Sequence, residues 1–145
     1  MTNTSNARLQ SGYKELIFAE QPAYFLTLTT NKPLGLQILR DQTKFFSACA
    51  NQKLLGRNWA KKTAKEQING LCFFEKININ AHAHMLINLP ARSLLSHKIL
   101  FAHTWNKICP SGSINLQEID DLDYLADYVT KEKYLPRFFE EQVML

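Results

Sequence analysis

The chain has 145 residues, of which 46% are hydrophobic and 21% are charged, with a formal net charge of +4. These values are typical of one folded globular domain and argue against a disordered chain. No apolar run approaches the roughly 20 residues that cross a bilayer, so we expect a soluble protein without membrane partners. The polar residues 1–11 lack the apolar stretch of a signal peptide, so we expect a disordered tail there and a cytoplasmic protein.

Three cysteines, Cys49, Cys72 and Cys109, are widely separated in the sequence. Their odd number and spacing argue against a disulfide framework and against a cysteine zinc site, so we expect reduced and mostly buried thiols. The mildly basic charge is compatible with a phosphate-bearing partner but does not require one.

Apolar periodicity and turn residues predict alternating helices and strands along the rest of the chain. In order these are a short helix over 12–20, a strand over 24–30, a helix over 36–50, strands over 70–77 and from residue 82, a helix over 92–108, a strand over 113–119 and a helix from 122 to about 134. This order predicts an α+β domain over 1–145, with a ferredoxin-like antiparallel sheet, helices mainly on one side and a further C-terminal helix. Many unrelated functions use this architecture, so it does not decide function.

The segment between the second helix and the second strand has the highest density of cations in the chain. Arg57, Lys61, Lys62 and Lys65 surround Trp59. A solvent-exposed helix face is the better account of each charge taken singly, and a nucleic-acid contact with Trp59 stacked on a base is the more specific alternative. Both interpretations stay open.

Two histidines, His82 and His84, interrupt an apolar run and have one residue between them. Alternate residues of a strand point to the same side, so both imidazoles lie together if this segment is extended. Paired imidazoles suit a divalent metal, although two hydrogen-bonded strand histidines are the plainer alternative. If the preceding turn is centred between Ile79 and Asn80, Glu75 stands opposite His84.

The same hairpin places Ile77 opposite His82, whereas a slip of one residue moves Glu75 to the other face. The remaining histidines, His97 and His103, fall on the helix over 92–108, and we expect both at its surface or boundary.

The last predicted helix has two distinct faces. A core stripe is formed by Leu122, Leu125, Ala126 and Val129. Nearly opposite that stripe, Tyr124, Tyr128 and Lys131 lie one above another. Asp120 and Asp121 supply an N-cap and favourable negative charge at the helix start.

Three stretches, 25–29, 82–86 and 124–131, resemble in order the three motifs of the HUH endonucleases, the rolling-circle replication initiators. The resemblance implies that His82, His84 and a third polar residue hold Mg²⁺ or Mn²⁺, with Glu75 as our candidate for the third ligand. It also implies that a tyrosine on the last helix cuts single-stranded or hairpin DNA.

By the same resemblance, Tyr128 is the first choice of nucleophile, Tyr124 is similar to the second tyrosine of two-tyrosine initiators, and Lys131 contacts phosphate or the leaving group. Asp127 departs from the family pattern, because related initiators often have lysine there. A helicase-type phosphate-binding loop is missing from the sequence, so we expect a separate helicase partner. The alternative is a non-catalytic nucleic-acid-binding module on the same fold.

Overall fold

The fold is built on an antiparallel sheet, described here from a computed structural model that covers residues 2–130 and 143–144. Its strands are β1 (Tyr24–Thr29), β2 (Asn69–Glu75), β3 (His82–Asn88), β4 (Ser113–Glu118) and the two-residue β5 (Val143–Met144). They lie in the order β4-β1-β3-β2-β5, and every neighbouring pair is antiparallel. The predicted α+β class with an antiparallel sheet is therefore confirmed.

Helices cover both faces of this sheet. They are α1 (Thr2–Glu20), α2 (Leu36–Leu55), α3 (Leu94–Ile108) and α4 (Leu122–Val129). Residues of α2 and α3 form the larger hydrophobic cluster with one face, and residues of α1 and α4 form a smaller cluster with the other. The prediction of helices mainly on one side was wrong, because the periodicity of a helix shows which of its sides is apolar but not which sheet face that side meets.

Helix α1 begins at Thr2, whereas we predicted a disordered tail over 1–11 and a helix only from residue 12. Contacts distant in sequence hold the second half of this helix on the sheet. Ile17 is fully buried in the smaller cluster, and the Tyr13 ring meets the Phe73 ring edge-on at a centroid distance of 5.8 Å. Such tertiary packing stabilises helices whose local sequence is a weak predictor.

The hairpin of β2 and β3 has a register different from the predicted one. Glu75 pairs with His82, and Phe73 pairs with His84. The turn begins earlier than predicted, since Lys76 adopts a φ of 54° and its carbonyl accepts hydrogen bonds from the backbone of Ile79 and Asn80. Ile77 consequently lies beyond β2. Because the partner of Glu75 changes by two residues, its side chain keeps the same face as both histidines.

Gly70 in β2 permits a backbone approach that no other residue fits. Its φ is +146°, and an added Cβ would lie 2.1 Å from the Leu86 carbonyl oxygen of β3. We expect Gly70→Ala to lower the free energy of unfolding by about 3 kcal/mol or more, through strain and a broken strand pairing. Urea unfolding followed by circular dichroism measures this. Gly12→Ala is the matched control, since an added Cβ there meets nothing within 4 Å, and an equal loss in both variants would contradict the argument.

His97 is fully buried, whereas we predicted a position at the surface or boundary of the helix, and His103 is exposed. By helical spacing, His97 falls at the boundary of the apolar stripe. In the structure the chain after β3 covers it, and the Pro90 carbonyl accepts a hydrogen bond from His97 Nε2 at 2.9 Å. Burial lowers the pKa of His97, against the opposing effect of this hydrogen bond, and Arg92 lowers it further.

A pH dependence of stability follows from His97. The unfolded chain, with a histidine pKa of about 6.5, binds the proton more readily than the folded protein. The contribution of neutral His97 to the free energy of unfolding is therefore complete above about pH 6.5. It is lost as the pH falls toward the lower pKa that His97 has in the folded protein. We expect His97→Gln to reduce the slope of unfolding free energy against pH in this window, measured by urea titrations. His103→Gln should retain the slope, and an unchanged slope in His97→Gln would refute the assignment.

The three thiols are all free, with Cys72 and Cys109 buried and Cys49 half-buried, which fits the expectation of reduced cysteines. Burial raises the pKa of the Cys72 thiol. A helix long and apolar enough to cross a membrane is not found in the part of the chain that the structure describes.

Candidate active site

The predicted site residues meet on the sheet face that α1 and α4 cover. Glu75, His82 and His84 lie near the end of the β2–β3 hairpin, and α4 crosses the face so that Tyr124 and Tyr128 line the same cavity. The cavity has a volume of about 570 Å³. Residues far apart in sequence are therefore brought together.

The His84 ring is held on several sides. Its Nε2 lies 2.7 Å from Glu75 Oε1 and its Nδ1 lies 3.2 Å from Thr27 Oγ1. The ring also stacks on Phe25 at a centroid distance of 5.5 Å and is only 5% exposed. An ionised Glu75 only accepts, so His84 Nε2 carries the proton and donates it to the carboxylate. The orientation of the imidazole is thus fixed by neighbours on two strands.

His82 also lines the cavity, and one of its ring nitrogens is hydrogen-bonded locally. Its Nδ1 contacts the Asn80 carbonyl oxygen. A carbonyl only accepts, so Nδ1 carries the proton and Nε2 carries the lone pair that a metal ion needs. The His82 and His84 rings are 5.9 Å apart between centroids.

The donor set suits a divalent cation, although its geometry is not that of a preformed site. Among the described residues, no group of three His, Cys, Asp or Glu side chains is gathered tightly enough to hold a metal. Glu75 and His84 are bonded to each other, so ligation by both requires that hydrogen bond to break and the His84 proton to move to Nδ1. Thr27 Oγ1 lies 3.2 Å from that nitrogen and can accept a hydrogen bond from the Nδ1 proton. Two imidazoles and a carboxylate are a fitting set for Mn²⁺ or Mg²⁺.

The two tyrosines differ in their surroundings. The Tyr128 ring is half-buried and meets the His84 ring edge-on at a centroid distance of 5.8 Å. Tyr124, one turn earlier, is 69% exposed. The backbone N–H of Tyr124 donates to the Asp121 carboxylate at 3.0 Å, which confirms Asp121 as the N-cap of α4.

The predicted core stripe of α4 is confirmed, with Ala126 and Val129 buried and Leu122 and Leu125 packed beside them. Lys131, and the predicted continuation of the helix to about Tyr134, lie outside the described residues.

Sequence reasoning missed the acidic rim of the cavity. Glu118, Asp120 and Asp121 line it beside Glu75, and Lys76 is the one lysine or arginine in the described lining. Alternation along β4 places Asn115 on the same face as its partner Thr27. It gives no signal for the acidic rim, because Glu118 has the opposite parity and Asp120 and Asp121 lie beyond the strand. A cavity with this lining repels phosphate unless a cation is present.

The predicted DNA-binding segment is not part of this site. Arg57, Lys61, Lys62 and Lys65 are exposed. The segment forms two short 3₁₀ turns, Trp59–Lys61 and Ala64–Glu66. Trp59, in the first turn, is half-buried and lines a separate cavity of about 280 Å³. The basic segment leads into the first residue of β2, Asn69, whereas Glu75 is the last residue of that strand. The two ends of β2 are about 20 Å apart.

Comparisons of the chain with protein-family models, with curated proteins and with solved structures gave no match. The case for a function therefore depends on the residues of the cavity. The contacts that matter most are those of His84 with Glu75, Thr27 and Tyr128.

Proposed function

We propose that the protein is a metal-dependent HUH-type endonuclease that nicks and rejoins single-stranded or hairpin DNA, as in the initiation of rolling-circle replication. The observation that carries the proposal is the edge-on contact of Tyr128 with His84, within one cavity that also contains His82 and Glu75. Core packing alone gives no reason for a tyrosine, two histidines and a carboxylate to meet on one sheet face.

The proposed reaction is a transesterification at phosphorus. The Tyr128 hydroxyl oxygen forms a bond to the scissile phosphorus while the bond from phosphorus to the 3′ oxygen breaks. The phenol proton leaves to solvent, and the departing 3′ oxygen takes up a proton. The products are a 5′-phosphotyrosine and a free 3′-hydroxyl, and the reverse reaction joins strands. A phenol is mostly neutral at pH 7 and a weak nucleophile, so the surroundings have to favour its attack.

Charge in the cavity supports a need for a cation. Four carboxylates, Glu75, Glu118, Asp120 and Asp121, line it in the described part of the chain, against the single cation Lys76. His82, His84 and Glu75 would hold Mn²⁺ or Mg²⁺, which when bound polarises the scissile phosphate and offsets charge in the transition state. Thr27 and Phe25 fix the His84 ring for that role.

Tyr124 has a separate proposed role. It is exposed one helical turn before Tyr128 and lines the same cavity, which suits attack on a second strand while the first remains attached. We also propose that Lys131 contacts phosphate or the leaving group. Unwinding of duplex DNA is assigned to a separate helicase.

Labelled oligonucleotides test the proposal directly. With Mn²⁺, a 3′-labelled single strand or hairpin should become attached to the protein in a complex that survives SDS, and a 5′-labelled one should give a shorter product that a polymerase can extend. Excess EDTA should abolish both. Failure to form any adduct across a varied oligonucleotide pool, while calorimetry shows Mn²⁺ binding, would contradict the proposal.

The exposed basic segment favours the alternative, a non-catalytic nucleic-acid-binding module. Its cations Arg57, Lys61, Lys62 and Lys65 are all available to phosphates. This alternative predicts oligonucleotide binding that weakens with salt, is indifferent to EDTA and gives no covalent product. The adduct assay therefore separates the two functions.

A further inference from the structure

Helix α1 lies beside α4 and contacts it at the residues around Tyr128. The Gln10 side chain donates from Nε2 to Thr130 Oγ1 at 2.9 Å. Lys14 forms an ion pair with Asp127. One turn further along α1, Ile17 is fully buried in the cluster that includes Ala126 and Val129.

The spacing of these contacts makes α1 a continuous support for α4. Gln10, Lys14 and Ile17 recur at intervals of four and three residues, so they share one face of α1. Their partners bracket Tyr128, since Asp127 precedes it and Thr130 ends the helix.

Helix α4 itself depends on such support. It has only 8 residues, and helices of that length are not stable alone in water. Thr130 Oγ1 closes its last turn by donating to the Ala126 carbonyl at 2.7 Å and accepts from Gln10 at the same time. The contacts from α1 therefore add to the packing of Ala126 and Val129 on the sheet in holding α4 in place.

We infer that Lys14 and Gln10 are positioning residues, which hold α4 so that the Tyr128 ring faces His84. The inference rests on the proposed function and extends it to an element outside the three motifs. It also accounts for Asp127, the departure from the family pattern, because its carboxylate has Lys14 as its partner. Neither Lys14 nor Gln10 lines the cavity, so their effect is transmitted through α4.

An alternative account uses charge alone. The Lys14 and Asp127 side chains are 31% and 62% exposed, and exposed ion pairs contribute little to global stability. On that account Lys14→Glu disfavours a DNA substrate and Asp127→Lys favours it, because only the field at the phosphate changes. Positioning predicts that both substitutions slow the reaction, since each one places like charges opposite each other.

The experiment compares Lys14→Glu, Asp127→Lys and the double exchange in the full chain. Lys107→Glu, at an exposed position of α3, is the control with the same charge change as Lys14→Glu. Single-turnover adduct formation with saturating oligonucleotide and Mn²⁺ should slow about threefold to tenfold in each single variant. The double exchange should recover most of the rate, and the control should retain it. The oligonucleotide concentration at half-saturation should stay within twofold in Asp127→Lys, because the loss lies in the chemical step.

Amide hydrogen exchange gives a second readout that needs no activity. Exchange along α4 should quicken in both single variants and return toward the original rate in the double exchange. Opposite effects of the two single variants on adduct formation, or unchanged exchange in α4, would overturn the inference. Quickened exchange with rescue, in a protein that forms no adduct at all, would sustain the support of α4 by α1 and reject the proposed function instead.

Discussion

Tyr128→Phe should abolish the SDS-resistant DNA adduct while leaving the fold intact. The substitution removes one hydroxyl group and keeps the ring that packs against His84 and the smaller cluster. Phenylalanine has no atom that can form the bond to phosphorus, so we expect the adduct to fall below detection, at least 1000-fold, as for loss of a covalent nucleophile. Gel electrophoresis with 3′-labelled oligonucleotides measures the adduct, and thermal unfolding checks the fold.

Tyr124→Phe is the matched control, one turn away on the same helix. It should still form the adduct at the first cut, because Tyr124 makes no ring contact with His84 among those the structure describes. We expect it to lose the second transfer, in which a new strand is cut while the first is attached. Should Tyr124→Phe alone remove the adduct, the order of the two tyrosines assigned here would be wrong.

His84→Ala should nearly eliminate metal binding and with it the reaction. His84 contacts Glu75, Thr27, Phe25 and Tyr128, so its removal takes away a proposed ligand and loosens the side chains around it. Loss of one ligand weakens Mn²⁺ binding by about 100-fold or more, and loss of the metal slows adduct formation by about 1000-fold. Isothermal titration with Mn²⁺ measures the first effect and single-turnover kinetics the second.

The control for this change is His103→Ala, which removes an exposed imidazole from α3. It should bind Mn²⁺ and form the adduct as the original protein does. Because His84 is buried, His84→Gln serves as a second variant that fills more of the space and keeps a hydrogen-bonding group. Full Mn²⁺ affinity in a folded His84→Ala or His84→Gln protein would show that Mn²⁺ binds elsewhere.

Several parts of this architecture could be predicted from local sequence. Apolar periodicity predicts the strands β1 and β4 and the helices α2 and α3, and the apolar sides of these elements are the ones that pack in the core. The common face of His82, His84 and Glu75 also follows, since a pairing error of two residues preserves alternation. The register of β2 against β3 could not be predicted in this way. It depends on the backbone of Lys76, which has a φ of 54°, and side-chain patterns do not encode that conformation.

Features that depend on distant contacts could not be predicted. The burial of His97 depends on packing against residues such as Tyr24, whose ring centroid lies 6.4 Å from that of His97. The position of α1 depends on packing of Tyr13, Ile17 and Phe18 in the smaller cluster. For the candidate site, the sequence led to the histidines, Glu75 and both tyrosines. It did not lead to the acidic rim or to the Lys14–Asp127 pair, because neither has a local signature.

The division of the core by the sheet has a thermodynamic consequence. The smaller cluster, which holds α1 and α4 on the sheet, buries fewer and smaller side chains than the larger cluster. The larger cluster, with α2 and α3, contains Phe46, Phe101 and Trp105. Apolar area removed from water sets the free energy of separating a layer. A partial unfolding that releases α4 therefore costs less than global unfolding. The tyrosine-bearing layer can detach from the histidine-bearing sheet and return while the rest of the molecule stays folded.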